Sequence, residues 1–539
     1  MVCLLSDPFL QLPTENSIEV IWFTEFAGDE HFVTYGNDLE QLAKAQTTAL
    51  SKMQEDEDSK WHQQLSSVIS RTIWRHQARL DVTNKTQESI PYQVTSIYLG
   101  KPISSRVFGF SLLPDADSPL NILLTSDHQL LPMVATNLEK VAQTINKIDA
   151  VFMAGDLVNV ADRASEWFDD IRGGAFFPSL QGAAQYSLTK EGTSTIYHGA
   201  QIIQNAPLFS AVGNHEVMGR NSTTGLKLHQ QFQDAIPRHI AKELYSIDDN
   251  QKDLLKNHSF NIDSYQEILG LPPYYATTFG SIRLVVLYVT NIWRHFSSDI
   301  NIKGRYQEST EDLASPQRWG YGQHIFESIA RGSEQYLWLE DELNSKEFSS
   351  ARYKIVMFHH PPHTLGGNIV PPYTDPVPQF IYNCNGQLSG VYYDYPSDKD
   401  YIIQDLIPLL EKAGVQLVFY GHSHLWNRFC SSSGLHFLES SNVGNTFGAN
   451  WFQAETRIFP AEGRQYSAIG DPNGLDAIVP NIAPLLGSDG KPLPYIASNN
   501  HTVFSIFNSG EGSISSYYFD VRLPGSQVVK FDEFYLRKN

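Results

Sequence analysis

At 539 residues the chain is longer than one hydrophobic core ordinarily supports, and a composition of 41% hydrophobic and 18% charged residues, with 30 Phe and 26 Tyr, excludes an intrinsically disordered protein. A formal net charge of −20 excludes a general nucleic-acid binder, which neutralises phosphates with Lys and Arg. It leaves open a small phosphorylated substrate, whose charge bound cations would meet locally.

Cys3, Cys384 and Cys430 are far apart and lack CxxC spacing, so neither a disulfide framework nor a thiolate zinc site is indicated. The opening MVCLLSDPFLQLP has no basic residue and its apolar run stops at Asp7, a poor secretory signal. No later run approaches the roughly 20 apolar residues of a membrane span. The expectation is a cytoplasmic protein with no membrane and no nucleic-acid partner.

Strands are predicted at residues 17–26 (SIEVIWFTEF), 31–36 (HFVTYG), 92–99 (YQVTSIYL) and 105–113 (SRVFGFSLL), all rich in β-branched and aromatic residues. Between them, the polar stretch 38–79 is rich in Leu, Ala, Gln, Glu and Lys and predicts one or two helices. The reading is an all-β sandwich over 1–118 with a helical insertion at about 38–90, closed by a linker with Pro114 and Pro119.

From Leu120 the pattern changes to short apolar runs alternating with helix-like stretches, the mark of stacked β-α units in an α/β domain over 119–539. The runs are NILLTS, DAVFMAG, PLFSAVG, SIRLVVLYV, YKIVMF and VQLVFYG; helices are predicted at 134–147, 333–343 and 401–412. Residues 446–539 are richer in Gly, Pro and Ser, with late strand candidates HTVFSIFN and SISSYYFDVRL.

Five of these runs end in residues able to bind metals: Asp127-His128-Gln129, Asp156, Asn214-His215-Glu216, His359-His360 and His422-Ser423-His424. Taken singly, Asp127 and Asn214 read as turn residues or caps, and a buried His is more often satisfied by a backbone partner. Two His spaced by one residue directly after an apolar strand have few structural motives. In an open α/β sheet the carboxyl ends of the strands face one crevice, so strand ends far apart in sequence converge in space. Carboxylate, amide oxygen and imidazole suit divalent first-row metals.

The ordered set SDHQ, GDLVN, GNHE, FHHPPH and GHSH resembles the calcineurin-like metallophosphoesterase superfamily over roughly 120–445. The resemblance implies a four-layer α/β/β/α sandwich and two divalent metal ions (Mn, Zn or Fe) bridged by Asp156. Asp127, Gln129 and His424 would complete one site; Asn214, His359 and His422 would complete the other, with His359 preferred over its neighbour His360. Asn214 and His215 would bind the substrate, and His215 would stabilise the transition state or protonate the departing alkoxide. Glu216 would orient His215 or a neighbouring ligand, or be a plain surface residue. Two metals about 3.5–4 Å apart clamp a phosphoryl group and supply a metal-bound hydroxide near neutral pH.

Gln129 stands where the superfamily usually has His, and offers a neutral oxygen instead. A β-sandwich ahead of such a domain is similar to the purple acid phosphatase arrangement, whose N-terminal domain is fibronectin-III-like. Purple acid phosphatases carry an iron-ligating Tyr three residues after the bridging Asp; here that position is Asn159. Of the remaining candidates, His363 is read as a solvated loop residue, Arg220 and Arg428 as surface ion-pair partners, and Cys430 as a small core residue. Trp293, Trp319 and Tyr321 lie in an insertion that either shapes a pocket or packs. The expected activity is hydrolysis of a phosphate monoester. The alternatives are a phosphodiesterase or diphosphatase acting on a nucleotide derivative, which Gln129 favours, and a non-catalytic metal-binding or adhesion module.

Overall fold

The computed structural model describes residues 3–82, 89–220, 226–248, 250–293, 301, 303–304, 306–367, 375–396, 399–451 and 470–536. The first 110 residues form two facing sheets. One has β1 (Phe9–Gln11), β2 (Ser17–Thr24), β5 (Gln46–Ala49) and β6 (Trp74–Asp81) in the order β1-β2-β6-β5. The other has β3 (Glu30–Tyr35), β4 (Gln41–Lys44), β7 (Ile90–Tyr98) and β8 (Lys101–Ser104) in the order β8-β7-β3-β4, with β9 (Phe108–Phe110) also paired to β7. Period-two alternation builds the core: Ile18, Val20 and Trp22 of β2 point inward against Val33, Ala78, Leu80, Tyr92 and Val94. The intervening Ile21 and Phe23 face the other way, where Phe23 meets Phe168 and Phe177 at centroid distances of 5.0 and 5.4 Å. This strand is therefore buried on both faces, and the sandwich is bonded to the domain that follows.

The helical insertion expected at 38–90 is not there among the described residues. Its polar composition reflects edge strands β4 and β5, exposed to solvent, a long loop, and β6, whose WRHQARLD buries His76, Ala78 and Leu80 in strand alternation. Helix propensity is worth tenths of a kcal/mol per residue, and eight residues of antiparallel pairing between β2 and β6 override it.

Among the described residues that follow, two stacked sheets with helices outside form the framework, and three two-stranded sheets lie apart from it. In the first sheet, β10 (Asn121–Thr125), β11 (Ala150–Met153) and β12 (Leu208–Ser210) run parallel. The second contains β13 (Tyr275–Phe279), β14 (Ile282–Val286), β15 (Tyr353–Met357), β16 (Leu417–Tyr420), β17 (Trp426–Cys430), β18 (His436–Ser440) and β19 (Tyr495–Ile496), ordered β13-β14-β15-β16-β18-β17-β19. The late strands β20 (His501–Asn508), β21 (Ser513–Asp520) and β22 (Val529–Tyr535) complete the first sheet, with β20 antiparallel to β10. The antiparallel strands β20, β21 and β22 thus lock β10 from its far side.

The second sheet explains the continuous apolar runs. Leu284, Val286, Ile355, Met357, Leu417 and Phe419 share one core with Ile122, Leu124 and Phe504 of the first sheet. Their alternates Val285, Val356 and Val418 join Leu339 and Leu343 of a helix at Glu334–Leu343, and Leu406 and Leu410 near a helix at Ile407–Lys412. A strand covered on both faces needs no polar alternation. Among the described residues, no helix is long and apolar enough to cross a membrane.

Candidate metal centre

Each nominated ligand sits in the turn that follows a buried strand. Asp127 and Gln129 follow β10, Asp156 follows β11, Asn214 follows β12, His359 follows β15, and His422 and His424 follow β16; all seven are buried. Backbone bonds hold neighbouring strand ends together within each sheet: Gly421 N donates to His359 O (3.1 Å) in the second, and Asp127 N donates to Gly155 O (3.1 Å) in the first. His422 N reaches Asp127 Oδ2 at 2.9 Å, tying the first motif to the last across 295 residues.

These turns are strained. Asp127, Gln129, Asp156, His422 and His424 have φ of 56°, 44°, 54°, 82° and 56°, the left-handed region that side-chain-bearing residues avoid. Such outliers cost of order 1–3 kcal/mol each and persist where the surroundings over-determine them. The flanking glycines show what is over-determined. A Cβ on Gly213 would collide with the Asp156 carboxylate, and one on Gly421 would collide with Ser126 Oγ and Asp127 Oδ2. The motif glycines therefore let backbone pass against the carboxylates.

The side chains converge on Asp156. His359 Nε2 lies 3.1 Å from its Oδ2, Gln129 Nε2 donates to the same oxygen at 2.8 Å, and His215 N donates to Oδ1 at 2.9 Å. Ligand atoms of Asp156, His359 and His422 fall within 4.8 Å of one another. His422 Nδ1 is 3.0 Å from Asn214 Oδ1, and His424 Nε2 is 3.3 Å from Asp127 Oδ1. In the His359-His360 doublet, it is His359 whose imidazole faces Asp156. The His360 ring lies 4.5 Å from that of His422 and 4.9 Å from that of Phe326.

The donor set fits divalent cations. His359 and His424 each bond a backbone carbonyl through Nδ1, at Ala154 O (2.8 Å) and Asn445 O (2.6 Å). That leaves each Nε2 directed at a carboxylate, the arrangement by which metal-ligating histidines are held in one tautomer. Asp127 Oδ1 is buried without a hydrogen-bond partner among the described residues. Without cations, a proton takes their place: burial pulls the His359 pKa down, but the charges of Asp156 and Asp127 push it up to about 10. Asp156 is itself driven low; burial opposes this, and the positive charges of His359 and His215 outweigh it. The neighbouring His360 and His422 are held neutral, first by burial and then by nearby histidines.

Two buried carboxylates support this centre from behind. Glu216, weighed above as a surface residue, is fully buried and accepts from Asp156 N (2.8 Å), Leu157 N (2.7 Å) and Gly213 N (2.8 Å). Glu439 on β18 was missed; it accepts from Ser423 N (2.7 Å) and Thr364 Oγ1 (2.9 Å) and so holds the turn between His422 and His424. Its only sequence signal is an acid inside the apolar strand HFLES. Three other sequence readings are corrected. His363 is not solvated; it is buried against Asp471 at 2.7 Å. Arg220 and Arg428 are ion-paired, but inside the protein, with Asp234 (2.6 Å) and Asp532 (2.5 Å). Cys430 is only half buried. Trp319 and Tyr321 pack in the core beside the second sheet, while the side chain of Trp293 falls outside the described residues. Asn159, in the place of the iron-ligating Tyr, donates Nδ2 to Gln129 O at 2.6 Å.

In front of the ligands lies a cavity of about 400 Å³. Gln129, Asp156, Asn214, His215, His422 and His424 line its floor. His229 and Phe232, from the helix at Leu228–Gln233, line a wall that sequence reading did not find, and the His215 ring stacks on Phe232 at 5.2 Å. Residues 120–425 match the model of the family described as calcineurin-like phosphoesterase.

The chain belongs to the calcineurin-like phosphoesterase family.

This calcineurin-like phosphoesterase is therefore a metal-dependent hydrolase acting on phosphoester bonds. Its fold is that of a purple acid phosphatase isolated from yellow lupin (Lupinus luteus) seeds, with a TM-score of 0.54 at 14% identity over 98% of this chain and 74% of that one. The anchor in the inner membrane complex of Plasmodium aligns with a TM-score of 0.32 at 11% identity over 78% of this chain and 90% of its own. No curated protein sequence matches the chain.

Proposed function

We propose that the protein hydrolyses phosphate monoesters at a dinuclear centre in which Asp156 is shared by two divalent cations. Asp127, Gln129 and His424 would hold one cation, and Asn214, His359 and His422 the other. The observation that carries this reading is the buried cluster of Asp156, His359 and His422, whose ligand atoms lie within 4.8 Å of one another, with Gln129 bonded to the Asp156 carboxylate. When bound, such cations neutralise the phosphoryl oxygens and lower the pKa of water to about 7. Mn, Zn and Fe(II) suit these oxygen and nitrogen donors. With Asn159 in place of Tyr, the charge-transfer colour of a ferric-tyrosinate centre is not expected.

The chain's own residues do the rest. His215 Nδ1 lies 2.7 Å from Asn159 O, which places a proton on that nitrogen and directs Nε2 towards the cavity. As an imidazolium protonated on both nitrogens, His215 would give its Nε2 proton to the departing oxygen while water adds to phosphorus and the bond to the ester oxygen breaks, and it would be left as the Nδ1-protonated neutral ring. Asn214 is positioned to donate to a phosphoryl oxygen through its amide. Phe232 and Phe447 give the cavity an apolar side.

The test is an assay of p-nitrophenyl phosphate beside bis-p-nitrophenyl phosphate with added Mn, Zn, Fe or Mg. The proposal expects metal-dependent monoester hydrolysis that exceeds diester hydrolysis. No turnover with any metal would overturn it, and faster diester cleavage would replace it with a phosphodiesterase.

A further inference from the structure

The cavity over the metal centre is not lined by the phosphoesterase domain alone. Asp58 and Lys60, from the N-terminal sandwich and 60 or more residues ahead of the first metal motif, form part of its rim. Their loop is built into the second domain. Gln54 N donates to Asp162 O (2.9 Å), and Ser165 donates to Glu55 through N (2.7 Å) and Oγ (2.8 Å). Asp56 pairs with Arg163 (3.1 Å) and accepts from Leu228 N (3.0 Å). Trp61 Nε1 reaches Asp169 Oδ2 at 3.3 Å, and Lys60 O accepts at 2.8 Å from the N of Ile171, the residue before Arg172; Lys60 and Arg172 both line the cavity. Glu55 and Asp56 are fully buried, so this is a fixed wall.

The charges on that wall are unequally matched. Arg163 is paired with Asp56 and Glu166. Arg172 bonds Asp170 through Nε and Nη2, and among the described residues its Nη1 has no hydrogen bond. Asp58 stands near Lys227, which is itself bonded to Glu57. Lys60 is exposed, and the described residues offer it no ion-pair partner. In a chain of net charge −20, an ammonium left unmatched on the rim of an anion-binding cavity is a recognition element.

We infer that Lys60, with Arg172 of the same cavity lining, forms a subsite for a second phosphoryl group, so that the preferred substrates carry another phosphate on the leaving group. This deepens the phosphomonoesterase reading and rests on it. A scissile phosphoryl group on the cavity floor would place the leaving group towards the rim. A volume of about 400 Å³ is within the range of ordinary ligand sites. Charge-assisted bonds from ammonium and guanidinium are the usual means of holding a second phosphate. The N-terminal sandwich would then determine selectivity as well as packing.

Two measurements test this. In calorimetry on the metal-loaded protein, methylenediphosphonate is expected to bind about tenfold tighter than methylphosphonate, an advantage that Lys60→Ala removes and Lys60→Arg restores. In turnover, kcat/KM for ADP relative to AMP is expected to fall about tenfold in Lys60→Ala through KM, while the circular dichroism spectrum is unchanged. Equal binding of the two phosphonates by the wild type, or an unchanged ADP-to-AMP ratio in Lys60→Ala, overturns the subsite. If p-nitrophenyl phosphate is hydrolysed while either of those results is obtained, the monoesterase reading stands and only the subsite falls. If neither phosphonate binds and no ester is cleaved, both fall.

Discussion

Replacing Glu216 by Ala would remove the acceptor for three backbone N–H groups in one step, those of Asp156, Leu157 and Gly213. A buried donor left without a partner costs about 1–3 kcal/mol, so three set a range of roughly 3–9 kcal/mol. The space vacated by the carboxylate can admit water, which brings the expected loss to about 3–5 kcal/mol. That is a large share of a domain's typical 5–15 kcal/mol. Glu216→Gln keeps one acceptor oxygen and should lose about 1–3 kcal/mol. Because the same bonds fix the turn that carries Asp156, kcat/KM should fall about 10²-fold where the fold survives. Urea unfolding of the metal-free protein measures the first effect, and p-nitrophenyl phosphate turnover the second. Ala and Gln variants both within 0.5 kcal/mol of wild type would refute the claim that Glu216 organises the centre.

Other expected outcomes follow from the same reasoning. Gly421→Ala drives a Cβ into Ser126 and Asp127 and should abolish tight metal binding, read by equilibrium dialysis, with secondary structure retained. Arg71 is buried between Glu25, Glu55 and Asp169, so Arg71→Ala leaves carboxylates unpaired at the junction of the two domains and should cost about 3–5 kcal/mol in urea unfolding. His76 is buried between Thr24 and Thr47 and stacked on His31 at 3.7 Å. Burial and the His31 charge hold its pKa down to about 3, against about 6.5 in the unfolded chain. The unfolded state therefore takes up this proton first, and stability present above pH 6.5 is lost as the pH falls towards 3. His76→Asn should flatten that part of the stability profile, measured by thermal melts across the range.

The order of the five strand ends was legible because each couples a period change to a ligand-capable residue, as in NILLTSDHQ and VQLVFYGHSH. Parallel strands buried on both faces announce themselves as unbroken apolar runs, and β14, β15 and β16 were found that way. The stretch 38–79 misled because a solvent-exposed edge strand and an amphipathic helix draw on overlapping polar residues; only the pairing of β6 with β2 decides between them. Glu216 and Glu439 were illegible as supports, since a buried acid is recognised by the N–H groups around it rather than by its neighbours in sequence. Lys60 was invisible for a related reason: its place on the cavity rim depends on how the sandwich docks onto the helix and turns at 163–172. That docking is written in contacts such as Asp56 with Arg163, which no local pattern reports.

The central claim is that Asp156 bridges two cations. Metal content determined by mass spectrometry, alongside p-nitrophenyl phosphate turnover, tests it in the wild type and in Asp156→Asn. The account expects two divalent ions per active wild-type chain, and loss of activity and of most bound metal in a folded Asp156→Asn protein. Full activity with one ion per chain, or an Asp156→Asn protein that keeps both ions and its turnover, would contradict it.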